Sequence, residues 1–137
     1  MKREIELVRA IALRADALRG KAEELGQQAA RALTGEVGKR QIKGLENLAS
    51  STQKISDVFD YIKRQTAKQE AWRNNNFGKT LLDYLENELI PQAQALANQL
   101  NASGSERHRI QLVLVREFVR QLSAHYVFER ALSGASR

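Results

Sequence analysis

The sequence predicts an all-α fold, a single domain over residues 1–137 built as a bundle of about five helices. The chain has one proline, Pro91, and eight glycines, so few positions force a helix to stop. Between those positions, apolar residues recur mostly at steps of three and four, which gives a helix one apolar face. A chain of 137 residues, 42% of them hydrophobic, can form one core but is too short for a second domain of ordinary size.

The first two predicted helices cover residues 2–33 and 39–50, with a turn at residues 34–38 because the sequence Thr-Gly-Glu-Val-Gly breaks the apolar pattern. The first helix has an alanine-rich seam, which favours close approach of a partner helix. The members of this seam are Ile5, Val8, Ala12, Ala15, Ala22, Leu25, Ala29 and Ala32. The second helix is expected to bury Ile42, Leu45 and Ala49 and to expose its basic residues.

The third predicted helix covers residues 54–73 and the fourth covers residues 77–100. The third is expected to bury Ile55, Val58, Phe59 and Ile62. Three asparagines at residues 74–76 separate the two helices, and Asn76 is expected to cap the fourth. Because proline disrupts a helix, a kink is predicted near Leu89 and Ile90, just before Pro91.

The fifth predicted helix begins after a loop at residues 101–104 and ends near Leu132. Ser103 and Glu106 have the spacing of a capping box, in which each side chain bonds to the other's backbone N–H. The run Leu112-Val113-Leu114-Val115 would also suit a buried strand, but no second strand candidate exists to pair with it. We therefore predict that this run is helical and buried on more than one side. Residues 133–137 are expected to form a frayed tail.

The composition points away from several function classes. The chain has no cysteine, so it has neither disulfides nor thiolate metal ligands. No apolar run approaches the roughly 20 residues that span a bilayer, and we expect a soluble, cytoplasmic protein with no membrane partner. Gly78-Lys79-Thr80 resembles the end of a phosphate-binding loop, but Arg73 stands where the first glycine should be. A helix N-terminus explains this segment better.

Potential ligands for a metal or for catalysis are also sparse. His108 and His125 are the only histidines, and they lie too far apart to form a helical ligand pair. The acidic pairs on the third and fourth predicted helices have no further ligands near them in sequence and are interpreted as solvated faces. We expect no catalytic residues, no metal, no cofactor and no small-molecule substrate, and so a protein that is not an enzyme.

Positive charge is concentrated in residues 39–79, which carry nine Lys or Arg residues and four acidic ones, in a chain of net charge +6. Charge confined to one region can act as a site. On the third predicted helix, Lys54, Tyr61, Arg64 and Lys68 share one stripe, and Trp72 follows four residues later. Cations with aromatic rings are a common combination for holding single-stranded nucleic acid.

The same stripe has a second interpretation, in which Tyr61 and Trp72 lie at the edge of the core and the lysine stems shield their rings. Under the nucleic-acid interpretation, Lys43 of the second helix and Lys63 or Arg64 of the third would line one groove. The candidate nucleic-acid-binding residues are Lys39, Arg40, Lys43, Lys54, Lys63, Arg64 and Lys68. Binding is expected without sequence preference, to RNA or single-stranded DNA.

Three segments resemble a known family: GKRQIKGLENL at residues 38–48, FDYIKRQTAK at residues 59–68, and Trp72. They are similar to segments of the small all-helical subunits of CRISPR effector complexes, particularly those of type III. The similarity covers roughly residues 38–73, about a quarter of the chain. A small subunit of another CRISPR type remains an alternative.

This resemblance implies a non-catalytic structural subunit, present in more than one copy within a ribonucleoprotein and touching the guide–target duplex or the displaced strand. By position, it assigns that contact to Lys39, Arg40 and Lys43 and to Lys63, Arg64 and Lys68. Two other interpretations remain open. One is an adaptor that docks on a protein through its alanine seam and acidic fourth helix, and the other is an accessory subunit whose active site a partner completes.

Overall fold

The computed structural model describes residues 2–135 and confirms the all-α class, since every regular element in that range is helical. The α-helices are α1 (Lys2–Ala17), α2 (Arg19–Ala32), α3 (Gly35–Ser51), α4 (Ile55–Lys68), α5 (Glu70–Arg73), α6 (Phe77–Tyr84), α7 (Ile90–Gln99) and α8 (Gly104–Ala135). A 3₁₀ turn, Asn74–Asn76, follows α5, and a π-helical turn, Leu85–Leu89, joins α6 to α7. Their buried apolar side chains form one contiguous core.

α6, the π-helical turn and α7 form one continuous helical rod, and α5 is only a single turn. Counted in this way, the described residues form six principal helices, one more than predicted. The additional helix arises at Leu18, which interrupts the predicted 2–33 helix. Its N–H donates to the Ala15 carbonyl at 3.1 Å, three residues back rather than four. The buried positions nevertheless continue through this turn, at Ala15, Leu18 and Ala22.

The predicted seam is wrong in α1 except at Ala15, which is buried, and it is right in α2. In α1, Leu7 and Ile11 are buried, whereas Ile5 and Val8, expected in the core, are 55% and 51% exposed. Ala12 is exposed as well. In α2, the expected seam is buried as predicted: Ala22, Leu25, Ala29 and Ala32.

The turn between α2 and α3 is shorter than the predicted 34–38, because α3 begins at Gly35. Gly35 has φ +81°, a left-handed conformation that glycine adopts without strain. Gly38, also expected in the turn, is a buried residue of α3. A Cβ there would lie 2.7 Å from the Leu33 carbonyl oxygen, so the start of α3 packs directly on the end of α2.

The predicted 54–73 helix is divided at Gln69, whose extended backbone separates α4 from α5. Asn75 and Asn76 then both take left-handed conformations, with φ of 52° and 59°. Asn76 precedes α6, but its side chain makes no capping hydrogen bond, so the predicted cap is wrong. The chain instead reverses through the backbone of the asparagines, a residue type that tolerates this conformation.

The predicted irregularity before Pro91 is present as the π-helical turn Leu85–Leu89. Pro91 lies in the first turn of α7. Proline donates no N–H, and its ring crowds the carbonyl four residues back, which a widened turn accommodates. The rod therefore continues from α6 into α7 without a break in the core, to which Leu85 and Leu89 both contribute.

The capping box at the start of α8 is confirmed. The Ser103 N–H donates to Glu106 Oε1 at 3.0 Å, and the Glu106 N–H donates to Ser103 Oγ at 3.2 Å. Arg3 of α1 also donates to Glu106, from Nε at 3.1 Å and from Nη2 at 2.9 Å. These bonds hold the pKa of Glu106 at about 2, because they favour the ionised carboxylate.

α8 continues past the predicted end near Leu132 to Ala135, so the predicted tail is helical at least that far. Residues 136–137 of that tail lie outside the described residues. The run at residues 112–115 is helical and buried on more than one side, as predicted, with Leu112, Leu114 and Val115 in the interior. Helices of the same chain bury these side chains, since α1, α2, α3 and α7 all pack against α8.

The close contact between α2 and α8 can be tested at Gly26 of α2, where a Cβ would lie 2.6 Å from His125 Cβ and 2.9 Å from the Leu122 carbonyl oxygen. Gly26→Ala should lower the free energy of unfolding by about 1–3 kcal/mol, because it forces α2 away from α8. Gly20→Ala is the matched control. No atom lies within 4 Å of a Cβ at Gly20, so that change should be neutral or stabilising by up to about 1 kcal/mol. Urea denaturation followed by circular dichroism measures both, and equal stabilities of the two variants would contradict the contact.

Stability should also depend on the charge of Glu106. Its pKa falls from 4.5 to about 2 on folding, so the unfolded chain binds a proton more readily. The stabilisation is therefore present above pH 4.5 and is lost as the pH falls toward 2. Between these values, the melting temperature of Glu106→Gln should fall less than that of the wild type. Glu23→Gln changes an exposed carboxylate and is the control, so its melting temperature should fall with pH as much as that of the wild type. If the melting temperatures of the wild type and Glu106→Gln fall in parallel, Glu106 is not the group responsible.

Candidate nucleic-acid interface

Three candidate cations project from α4 into solvent. Lys63, Arg64 and Lys68 are exposed, and none of them forms an ion pair with any described residue. Asp60, one turn earlier on the same helix, pairs with neither Lys63 nor Arg64. Three positive charges are thus presented to solvent within about one and a half turns. Ile62, on the inner side of α4, is fully buried.

The aromatic part of the predicted stripe belongs to the core. Trp72 is 0% exposed, and its indole N–H donates to Gln41 Oε1 at 2.9 Å. Its ring lies 6.4 Å from that of Tyr61 and 5.4 Å from that of Phe77, between centroids. A fully buried indole cannot stack on a nucleic-acid base. For Trp72, the interpretation as a core residue is correct.

Tyr61 is half-buried and faces α3. Its hydroxyl donates to the Gln41 carbonyl at 2.7 Å, and burial raises the pKa of this hydroxyl. A Cβ at Gly44 would lie 2.7 Å from the Tyr61 oxygen, so glycine leaves room for the tyrosine to reach α3. Gln41 therefore accepts two hydrogen bonds, one from Tyr61 on its backbone carbonyl and one from Trp72 on its side-chain oxygen. This network fixes the rotation of α4, and with it the outward direction of the α4 cations.

Lys54, the first residue of the predicted stripe, lies apart from the others at the N-cap of α4. Its Nζ is 3.9 Å from Asp57, a carboxylate that also accepts a 2.6 Å hydrogen bond from Thr52 Oγ1. Asp57 thus stabilises the turn before α4 and is not part of an acidic cluster. Lys54 is exposed, but the nearby carboxylate offsets much of its charge.

The basic residues of α3 are also exposed, but two of the three face carboxylates. Lys39 pairs with Glu36 at 3.7 Å and Lys43 with Glu46 at 3.6 Å, while Arg40 has no ion pair among the described residues. Exposed pairs of this kind contribute about 0–1 kcal/mol, so they open readily. They nevertheless reduce the positive potential along this part of α3.

The groove predicted between the second and third helices, shared by Lys43 with Lys63 or Arg64, is not formed by Lys43 and Lys63, which line different spaces. Lys43 lines a space between α3 and α8, together with Ser123 and Tyr126. Lys63 lines a different groove, between α4 and α6. The reason is that Tyr61 occupies the side of α4 that faces α3, which leaves Lys63 on the side that faces α6.

The α4–α6 groove adds two cations that were not among the nucleic-acid candidates of the sequence, Arg73 and Lys79. Arg73 Nη1 donates to the carbonyls of Thr66 and Ala67 at 2.9 and 3.1 Å, at the last turn of α4. Lys79 Nζ lies 3.1 Å from Asp83. Both residues fall within the basic region at residues 39–79, but only the fold brings them beside Lys63.

The remaining sequence candidates have structural roles. Thr80 Oγ1 of the segment that resembles a phosphate loop donates to the Asn76 carbonyl at 2.8 Å, as helix hydroxyls commonly do. His108 Nε2 lies 2.8 Å from the Gln53 carbonyl oxygen and links α8 to the loop before α4. His125 lies beside Gly26 in the α2–α8 contact.

Residues 2–135 contain no group of three His, Asp or Glu side chains placed to hold a metal ion. Within the same range, no helix has the length and apolar composition needed to cross a bilayer. No protein-family model, curated protein or solved structure matches the chain. The candidate interface therefore rests on the geometry and charge of its own residues.

Proposed function

We propose that the protein is a non-catalytic subunit that contacts nucleic acid through phosphate groups, without reading sequence. The observation that carries this proposal is the set of three exposed, unpaired cations on α4: Lys63, Arg64 and Lys68. Arg40 of α3 is a fourth exposed cation without an ion pair. Lys and Arg contacts to phosphates supply affinity that is independent of sequence, and no base-reading element accompanies them.

The proposal extends to the kind of assembly. The resemblance at residues 38–73 favours a small subunit of a CRISPR ribonucleoprotein effector complex, where such a surface would contact the guide–target duplex or a displaced strand. Burial of Trp72 in the core favours charge over base stacking as the means of contact. The same contact is available to RNA and to single-stranded DNA.

A second surface favours contact with other protein subunits. Near the end of α8, Val127, Phe128 and Leu132 are 59%, 58% and 51% exposed on neighbouring turns. Val127 borders the space between α3 and α8, and Phe128 borders the space between α2 and α8, so apolar side chains are exposed on more than one side of this end of α8. Exposed apolar surface is typical of protein interaction sites. The alanine seam required by the adaptor interpretation is less suitable, because in α2 it is already buried against α8. We therefore assign subunit contacts to the end of α8.

The nucleic-acid contact predicts a specific change in salt dependence. Replacing Lys63, Arg64 and Lys68 together by glutamine should weaken binding to oligouridine and reduce the slope of log affinity against log salt. On a single strand, each phosphate that a cation no longer neutralises reduces that slope by about 0.7, so the slope of the triple variant should fall by up to about 2. Fluorescence anisotropy at several salt concentrations measures both quantities.

Replacing Lys2, Arg9 and Arg31 by glutamine is the matched control, because these cations are also exposed and unpaired but lie on α1 and α2. It removes the same charge and should leave most of the slope intact. The α3 variant, with Lys39, Arg40 and Lys43 replaced, should have an intermediate slope, because two of its cations already face carboxylates. An unaltered slope in the α4 variant would remove these residues from the interface.

The apolar end of α8 predicts association. Phe128→Asp should reduce self-association or the capture of a larger subunit, since it places a charge on the exposed apolar surface, and it should leave the melting temperature nearly unchanged. Asn47→Asp adds the same charge to an exposed position on α3 and is the control. Light scattering of the concentrated protein gives the mass. A strictly monomeric wild type that also captures no protein in its native host would count against this surface.

A further inference from the structure

The groove between α4 and α6 is formed by a close helix contact. A Cβ at Gly78 of α6 would lie 2.0 Å from Thr66 Oγ1 of α4, so the two helices meet at these residues. Beside this contact, their side chains border a groove that is open to solvent and has a volume of about 720 Å³. This is within the range of about 300–1,000 Å³ that is usual for ligand sites.

Cations lie on both sides of this groove. Lys63 comes from α4, Lys79 comes from α6, and Arg73 comes from the short helix that connects the two regions. Arg73 is held in place, because its Nη1 already donates to two carbonyls of α4, while its Nε and Nη2 make no hydrogen bond with the described residues. A held guanidinium with free N–H groups is well suited to an anionic oxygen.

The part of the groove between these cations is mainly uncharged. Ala67 and Leu82 line it, and Asp83, at its α6 side, is the one acidic side chain among its described lining residues. We infer that this groove binds a single nucleic-acid strand, with phosphates beside Lys63, Arg73 and Lys79 and with bases lying over Ala67 and Leu82. This inference rests on the proposed function and assigns the strand a path.

The apolar surface between the cations favours a single strand over a duplex. The bases of a duplex are already paired and stacked inside it, so they are not available to lie on Ala67 and Leu82. A duplex would contact only the outer cations, whereas a single strand can enter and place its bases on apolar surface.

The other basic groove does not offer the same chemistry. The space between α3 and α8 contains Lys39 and Lys43, but Glu46 lies in it as well and accepts a hydrogen bond from Ser123 at 3.0 Å. Its acidic residue is therefore part of a fixed contact between helices. In the α4–α6 groove, the one hydrogen-bond partner of Asp83 among residues 2–135 is Lys79, on its own helix, so its charge can be removed without opening the fold.

The test uses a variant that should gain affinity. Asp83→Asn removes the negative charge and frees Lys79, so it should tighten binding to labelled oligouridine and oligothymidine by about two- to fivefold. Ala67→Glu places a charge in the groove at an exposed position and should weaken binding by a similar factor. Glu88→Gln makes the same charge change as Asp83→Asn, but outside the groove. Each variant is titrated with the two single strands and with an RNA duplex at one salt concentration.

The groove is supported if Asp83→Asn raises the affinity for single strands and Ala67→Glu lowers it. Both changes in affinity should be larger than those for the duplex, and larger than the change caused by Glu88→Gln. If Asp83→Asn and Glu88→Gln change affinity equally, or if duplex binding changes as much as single-strand binding, the groove is not the site. In that case, a salt slope that still depends on α4 would preserve the proposed function. Failure of the wild type to bind any of the three probes would overturn both.

Discussion

The packing of α2 against α8 is the constraint on which the rest of the structure depends. Gly26 lets the two backbones approach so closely that a single methyl group would meet His125 and the Leu122 carbonyl. Below this contact, the Tyr126 hydroxyl donates to the Leu33 carbonyl at 2.7 Å and anchors the end of α2. With α2 fixed, α8 becomes a central helix of 32 residues around which α1, α3 and α7 are placed.

A second constraint sets the direction of the candidate interface. Gln41 accepts hydrogen bonds from both Tyr61 and Trp72, and this pins α4 and α5 to α3. Because successive helix residues differ by about 100°, turning Tyr61 toward α3 and Ile62 into the core sends Lys63 and Arg64 outward. Burying the aromatic rings therefore exposes the cations. The interface that results depends on charge and suits phosphate groups better than bases.

The α4 cations and the exposed apolar side chains of α8 lie on different helices. The three exposed cations belong to α4, whereas Val127, Phe128 and Leu132 lie near the end of α8. The basic residues of α3 are closer to the apolar surface, because Lys39 and Lys43 border the same space as Val127. A subunit that contacts nucleic acid within an assembly needs both kinds of surface, and each must stay free while the other is occupied. Cations on α4 meet this need, because α4 and the end of α8 supply different side chains.

The sequence by itself determined the fold class, the capping box at Ser103 and Glu106, the α2 seam and the concentration of positive charge at residues 39–79. These features are local, since helix periodicity, caps and charge counts depend on residues close together along the chain. The burial of Ile11 instead of Val8, the inward direction of Trp72 and the meeting of Lys63 with Arg73 and Lys79 were decided only by the tertiary structure. Each of these depends on the rotation of one helix relative to another. Close contacts fix that rotation, such as Gly26 with α8 and Gly78 with Thr66, and the periodicity along one helix does not reveal where its partner lies.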